Sequence, residues 1–202
     1  APRHSWKAAV NDYLIEAEKH LRVTTLYNRQ TALEAHTSCW NERAICEISR
    51  KDVIDLIEKL NCSQANKGMQ LKYINQVFAN ALISRRIQLS PTSGLKLDHD
   101  KRIDKKANSL SAMTREEVQN LLLYFKEFSS DWYSIFLVTY QLGLRSSEAV
   151  ALQFSDIDFK TGRVVLSKSW CRLKKDTVPP KNGCSRIIIL NKQTMAYLKE
   201  LR

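Results

Sequence analysis

Apolar positions recur at helical spacing through the first hundred residues and mark out four helical stretches. Trp6, Val10, Tyr13, Leu14 and Ala17 form the buried stripe of the first. The second runs from Val23 to about Thr37 on Leu26, Ala32, Leu33 and Ala35, after a cap region at Arg22-Val23-Thr24-Thr25. The third starts at Ser49, with Asp52 at its third position as a variant of the capping box, and buries Val53, Ile54, Leu56, Ile57 and Leu60. Ser63 caps the fourth, whose apolar positions are Met69, Ile74, Val77, Phe78, Ala81 and Leu82. This helix is predicted to reach about Gln88 and to stop before Ser90-Pro91.

From Pro91 to Leu110 the periodicity disappears. Pro91, Gly94 and the charges of Asp98-His99-Asp100-Lys101-Arg102 predict an exposed linker over 91–110, between a helical domain at 1–90 and a second segment at 111–202. That segment opens with Thr114-Arg115-Glu116-Glu117, a capping box, before Val118, Leu121, Leu122 and Phe125. A second helix carries Trp132, Ile135, Phe136, Val138, Thr139 and Leu142 and ends at Gly143 as a C′ glycine. A short helix follows from Ser146 to Leu152. Arg163–Leu166 and Arg186–Leu190 read as strands, the second after a polar stretch and a Lys181-Asn182-Gly183 turn. A last helix begins near Asn191 or Lys192 and is still running at Arg202, so we expect a chain cut within a longer protein.

Composition narrows the function. No apolar run is long enough to span a bilayer, and the first residues do not read as a signal peptide. The five cysteines, at 39, 46, 62, 171 and 184, include no Cys-x-x-Cys pair and have no histidines at metal spacing. They are expected to be reduced thiols in a cytoplasmic protein, not a disulfide frame or a zinc site. The net charge of +11 is shared, with +5 on residues 1–105 and +6 on the remainder, so both halves attract polyanions. Within the first half, the polar side of the second helix offers Thr25, Asn28 and Arg29, and that of the fourth offers Lys67, Lys72, Tyr73 and Gln76. Lysine and arginine there would neutralise phosphates, while asparagine and glutamine could read adenine edges.

The sharpest pattern is the run from Thr139 to Leu152, with Gly143-Leu144-Arg145 followed by Ser146-Ser147-Glu148 and an apolar helix, and completed by Phe154-Ser155-Asp156-Ile157-Asp158. It closely resembles the arginine motif of the tyrosine recombinases, the phage integrase family. The resemblance implies that Arg145 binds the scissile phosphate. A guanidinium suits that task because it offers two fixed donors and keeps its charge at neutral pH, and a helix starting at this point would turn N–H groups toward an anion. It also implies that Glu148 helps to hold Arg145. The second match is Pro179-Pro180-Lys181-Asn182-Gly183-Cys184-Ser185-Arg186 ahead of Ile187–Leu190, where the family carries a lysine at the turn of a β-hairpin. By that resemblance Lys181 is the general acid that protonates the 5′-oxygen leaving group, a proton transfer of which arginine is practically incapable. Lys174 and Lys175 lie in the same connection and compete for the assignment.

The front segment resembles the family's core-binding domain, a four-helix unit that clasps DNA, through Thr25–Leu33, Ile45–Val53, Ser63–Phe78 and Ser90-Pro91. The fold class expected is therefore mainly α with a small antiparallel β element: a four-helix SAM-like core-binding domain, then the leading part of the mixed α/β catalytic domain. Three family elements have no counterpart: a His/Lys-x-x-Arg motif after Arg145, a later His or Trp, and the tyrosine nucleophile that forms a 3′-phosphotyrosyl bond. All four histidines (4, 20, 36 and 99) precede Arg145, and His99-Asp100-Lys101-Arg102 is read as coincidence. Tyr197, flanked by Ala196, Leu198 and Leu201, reads as part of a packed helix. The resemblance thus implies a site-specific DNA recombinase needing no metal or other cofactor. It would work as a tetramer on double-stranded DNA when full-length, with this chain a monomer that binds DNA without cutting it. The alternative is a non-catalytic DNA-binding regulator, or degenerate integrase, on the same scaffold. An unrelated helical RNA-binding protein would give no reason for Arg145 and Lys181 to occur in this order.

Overall fold

The computed structural model describes residues 4–97 and 112–202, and its helices begin where their cap residues place them. The hydroxyls of Ser5, Ser49 and Ser63 accept the backbone N–H groups of Ala8, Asp52 and Asn66 at 3.2–3.3 Å. They open α1 (Trp6–Glu18), α3 (Arg50–Lys59) and α4 (Gln64–Ile83), while α2 (Val23–Thr37) starts without a side-chain cap. Asp52 returns the Ser49 contact by accepting its N–H at 2.8 Å, which makes the capping box that the sequence predicts. The chain divides into two compact units, Ala1–Ser109 and Leu110–Arg202.

The first unit closes over Trp6. Its indole packs edge-on against Trp40, with centroids 5.2 Å apart, and lies 5.1 Å from Phe78. Leu33, Ile45, Val53, Ile57, Ile74 and Val77 complete the buried centre. The Trp6 N–H would be stranded there without a partner. It donates to Thr37 Oγ1 at 2.7 Å, and that hydroxyl donates to the Leu33 carbonyl at 2.6 Å. Trp40 belongs to a short 3-10 turn, Ser38–Trp40, that helical periodicity does not reveal.

Two sequence expectations need correction in this unit. α4 ends at Ile83 and not near Gln88, because Arg85 turns into the left-handed region at φ 54°. The N–H groups of Arg85 and Arg86 then donate to the carbonyls of Leu82 and Ala81, which is the Schellman pattern with arginine where glycine is usual. An ion pair between Arg86 and Asp12 holds the reversal. Residues 91–97 are not exposed linker either. Thr92 is buried and donates to Asn75 Oδ1 at 2.6 Å, Leu95 and Leu97 pack on the core, and Arg50 donates to the Ser93 carbonyl. The remaining expected linker, with His99 and its neighbours, lies outside the described residues.

In the second unit, Thr114 and Glu117 form the expected capping box at the start of α5 (Arg115–Phe128). α5 packs on α6 (Ser130–Leu142) through Phe125, which stacks on Phe136 with centroids 4.5 Å apart. α7 (Ser146–Ala151) follows Gly143 and Arg145. β1 (Ile157–Asp158), β2 (Arg163–Leu166) and β5 (Arg186–Ile189) form an antiparallel sheet in the order β1-β2-β5. β2 and β5 pair from Arg163↔Ile189 to Leu166↔Arg186. Val164 and Leu166 alternate inward from β2 and meet Val138, Leu142, Ile157, Leu190 and Leu198 in the core. The predicted polar stretch after β2 instead contains a hairpin, β3 (Ser169–Cys171) and β4 (Asp176–Val178), with Lys174 and Lys175 between its strands. α8 spans Lys192–Glu200 and closes at Glu200 rather than running through Arg202, the Leu201 N–H turning back to the Tyr197 carbonyl. The architecture is mainly helical with a small antiparallel sheet, as expected. No helix among the described residues is long and apolar enough to cross a membrane.

Candidate functional site

The turn that delivers Arg145 depends on Gly143. Its φ of 56° ends α6, and the Leu144 N–H reaches back to the Thr139 carbonyl at 3.1 Å. Leu144 is buried, which anchors the corner, and Arg145 emerges beside it with 61% of its side chain exposed. Arg145 is the N-cap of α7. Its backbone N–H donates to Glu148 Oε2 at 2.9 Å, and its Nη1 donates to Glu148 Oε1 at 2.9 Å. The expected contribution of helix N–H groups to an anion site is therefore reduced. α7 has six residues, and the Arg145 N–H is already taken by its own Glu148.

Glu148 is not a surface residue: it is only 3% exposed. A carboxylate in that position has to be neutralised and fully hydrogen-bonded, or burial would drive it to protonate. Arg186, the first residue of β5, supplies most of this. Its Nη1 donates to Oε1 at 2.8 Å and its Nη2 to Oε2 at 2.7 Å, with a further contact from Nη2 to the Gly143 carbonyl at 3.4 Å. The Arg186 hydrogen bonds, and then those of Arg145, hold the Glu148 carboxyl down at about 2 against the opposing effect of burial. The pairing in turn raises the affinity of Arg186 for its proton. The sequence places Arg186 at the end of the second matching run and at the head of a strand, but assigns it no role. The available signal was a charged residue at the head of the apolar run Ile187-Ile188-Ile189-Leu190.

Lys181 is exposed, in the turn that joins β4 to β5, where the Gly183 N–H donates to the Pro180 carbonyl at 2.9 Å. No hydrogen bond or ion pair joins it to Arg145, Glu148 or Arg186 among the described residues. The tip of the β3–β4 hairpin holds Lys174 and Lys175 instead. Lys168 anchors the base of this excursion with an ion pair to Asp156 at 3.0 Å and a bond to Gln153 at 2.7 Å. Tyr197 is packed as expected, its hydroxyl 2.8 Å from Ser134 Oγ and its ring edge-on to Tyr133.

In the first unit, Thr25 and Arg29 from α2 and Lys72 and Tyr73 from α4 line one groove of about 420 Å³ together with Gly68 and Met69. Arg29 is committed within it. It donates to Gln76 Oε1 at 2.6 Å and to the Tyr13 hydroxyl, and its guanidinium lies 5.6 Å over the Tyr73 ring. The Gln76 carbonyl oxygen also accepts from Tyr13 at 2.8 Å, so only its amide donors remain for a ligand. Lys67 is turned elsewhere and donates to the Glu58 carbonyl in the last turn of α3 at 2.9 Å. Asn28 and Lys72 are exposed, with no hydrogen bond or ion pair among the described residues. Four of the seven predicted contact residues thus share a groove, Gln76 lies behind it, and Asn28 and Lys67 do not line it.

Residues 111–202 match the model of the phage integrase family. No curated protein sequence matches the chain. Among solved structures it is similar to the integrase of transposon Tn1549 in complex with transposon right end DNA. There the identity is 16% and the TM-score 0.77, covering 95% of this chain and 64% of that one. It is also similar to a lambda integrase tetramer bound to a Holliday junction, at 14% identity and a TM-score of 0.77, covering 98% of this chain and 57% of the other. A lambda integrase dimer bound to a COC′ core site gives 15% identity and a TM-score of 0.75, covering 98% and 55%. At such identities the likeness is one of fold. The chain spans less than two thirds of the length of each of these integrases.

Proposed function

We propose, from the match of residues 111–202 to the phage integrase family and from the geometry around Arg145, that this chain is the DNA-binding front part of a tyrosine site-specific recombinase. Residues 1–90 act as the core-binding domain and 111–202 as the leading part of the catalytic domain. The observation that carries this reading is the arrangement of Arg145, Glu148 and Arg186: two guanidinium groups share one buried carboxylate. One positive charge is left over, on the exposed Arg145. A surplus arginine held at a fixed corner is what seating a phosphodiester requires.

In this reading Arg145 binds the scissile phosphate, Glu148 holds it, and Lys181 delivers the proton to the departing 5′-oxygen. Thr25, Arg29, Lys72 and Tyr73 present one contact surface to double-stranded DNA, with Asn28, Lys67 and Gln76 adjoining. Strand breakage and rejoining through a phosphotyrosine, and assembly as a tetramer, belong to the full-length recombinase. This chain, as a monomer, binds without cutting. No step of that chemistry calls on a metal or other cofactor.

The test is titration of the 202-residue chain against short duplex DNA at rising salt, beside Arg145→Ala. Each phosphate neutralised contributes about 0.9 to the logarithmic salt slope. Tight binding at low salt that weakens steeply, with a slope lowered by about one in Arg145→Ala, is expected. No binding to any duplex at low salt would sink the reading.

A further inference from the structure

Arg145 and Arg186 use Glu148 unequally. Arg186 gives both terminal nitrogens to it, one to each carboxylate oxygen, and its remaining reach goes to the Gly143 carbonyl. Arg145 gives only Nη1 and its backbone N–H, so Nη2 and Nε carry no partner among the described residues. Their exposures match this division, with 38% of the Arg186 side chain exposed against 61% for Arg145. A carboxylate offers about four lone-pair directions, and here four donors fill them.

We propose that Arg186 is a positioning residue for phosphate binding: it serves as the dedicated counterion of Glu148, so that Arg145 keeps its charge and outer donors for DNA. The inference rests on the reading of Arg145 given above and adds a residue to that site. Without Arg186 the buried carboxylate would have one cation left. Arg145 would turn both terminal nitrogens onto it, as a bidentate pair favours, and the cluster would fall from a net charge of +1 to zero. A phosphate would then have to compete with Glu148 for the same guanidinium. Arg186 also fixes the corner from which Arg145 emerges, through Gly143, so a purely structural role is the rival explanation.

The rival is separated by double variants. DNA affinity and salt slope are measured for the 202-residue chain and for Arg145→Ala, Arg186→Ala, the pair Arg145→Ala with Arg186→Ala, and the pair Glu148→Gln with Arg186→Ala, each with its thermal midpoint. Arg186→Ala should weaken binding about tenfold, the worth of one charge-assisted contact, and lower the slope by about one. It should weaken binding no further once Arg145 is already alanine. Glu148→Gln should recover part of the affinity that Arg186→Ala loses, because a neutral amide no longer competes for the charge of Arg145, although Arg145 is then held less firmly. Additive losses in the Arg145→Ala background, or a folded double variant with no rescue, would overturn the proposal. If Arg186→Ala alone does not fold, the pair Glu148→Gln with Arg186→Ala, which leaves no unpaired buried carboxylate, is compared with Arg145→Ala instead: binding tighter than Arg145→Ala supports the proposal, and binding as weak as Arg145→Ala overturns it. A chain that does not bind DNA, or an Arg145→Ala variant that binds like the original, defeats the underlying reading and this inference together. Loss in Arg145→Ala with none in Arg186→Ala defeats the inference alone.

Discussion

Glu148 and Arg186 are 38 residues apart in sequence and meet through two parallel hydrogen bonds of 2.7 and 2.8 Å. The contact ties the short helix behind Arg145 to the last strand of the sheet. It therefore joins the two stretches, Gly143–Asp158 and Pro179–Arg186, that carry the family resemblance.

This pairing makes the second unit sensitive to acid. Glu148 has its carboxyl lowered from 4.5 to about 2, first by Arg186 and then by Arg145. A group whose folded value is depressed contributes stability that is complete above its unfolded value and is lost as pH falls through the folded one. The contribution is thus full above about pH 5 and disappears between about pH 4.5 and 2. Its size is on the order of 3 kcal/mol, taken from a shift of that width. Thermal melts from pH 7 to pH 2 should show the decline in the original chain and a flatter profile, from a lower start, in Glu148→Gln. Asp52 in the first unit is held well below the usual carboxylate range by Arg43 and Ser49, so part of the decline persists in that variant.

Removing one hydroxyl from the first unit should be costly. Thr37 Oγ1 accepts the Trp6 indole N–H and donates to the Leu33 carbonyl, all within the buried core. Valine has nearly the same shape but leaves the indole N–H and one carbonyl interaction without partners. Thr37→Val is expected to lower stability by about 1–3 kcal/mol. Denaturant unfolding followed by tryptophan fluorescence measures it. A change under about 0.5 kcal/mol would mean that water or a shifted side chain takes over the bond.

How much of this was legible in the sequence depends on distance along the chain. Caps at Ser49, Ser63 and Thr114 were readable because cap and partner are three residues apart. The Gly143-Leu144-Arg145 corner was readable for the same reason. β3 and β4 were not, because three residues are too few to establish an alternation, and the end of α4 was not, because arginine replaces glycine at its left-handed position. Glu148 could be placed on a helix, but its burial comes from a strand 38 residues away. The same limit applied to Arg29. Its position on α2 was evident, while its bonds to Tyr13 and Gln76 come from two other helices.

Those bonds separate two residues that the sequence grouped as equivalent. Arg29→Ala removes a guanidinium held by Gln76, Tyr13 and the Tyr73 ring, so it should lower both stability and DNA affinity. Lys72→Ala removes an exposed ammonium from the same groove. It should leave the melting point within about 1 °C of the original, since surface substitutions of this kind are worth less than about 0.5 kcal/mol. Its DNA salt slope should still fall by about one. Equal stability losses in the two variants would show that the Arg29 network contributes nothing beyond its charge.

Gly143→Ala tests whether the Arg145 corner depends on backbone shape alone. A Cβ built at Gly143 meets nothing within 4 Å, so crowding is absent and only the left-handed conformation at φ 56° resists the change. That resistance is about 1–2 kcal/mol for an L-residue, partly offset by the smaller conformational freedom of alanine in the unfolded chain. Gly162→Ala is the comparison. Gly162 has φ 74° and a Cβ there would lie 3.4 Å from the Leu190 carbonyl oxygen and 3.6 Å from Met195 Sδ, so contact is added to the backbone cost. The expected order of stability is the original chain, then Gly143→Ala, then Gly162→Ala. DNA affinity should follow the opposite logic, because only Gly143 adjoins Arg145. Gly143→Ala should weaken binding while Gly162→Ala, at a temperature where both are folded, should not. If both variants bind like the original, Arg145 finds the phosphate without help from the turn, and the rigid corner is not part of the site.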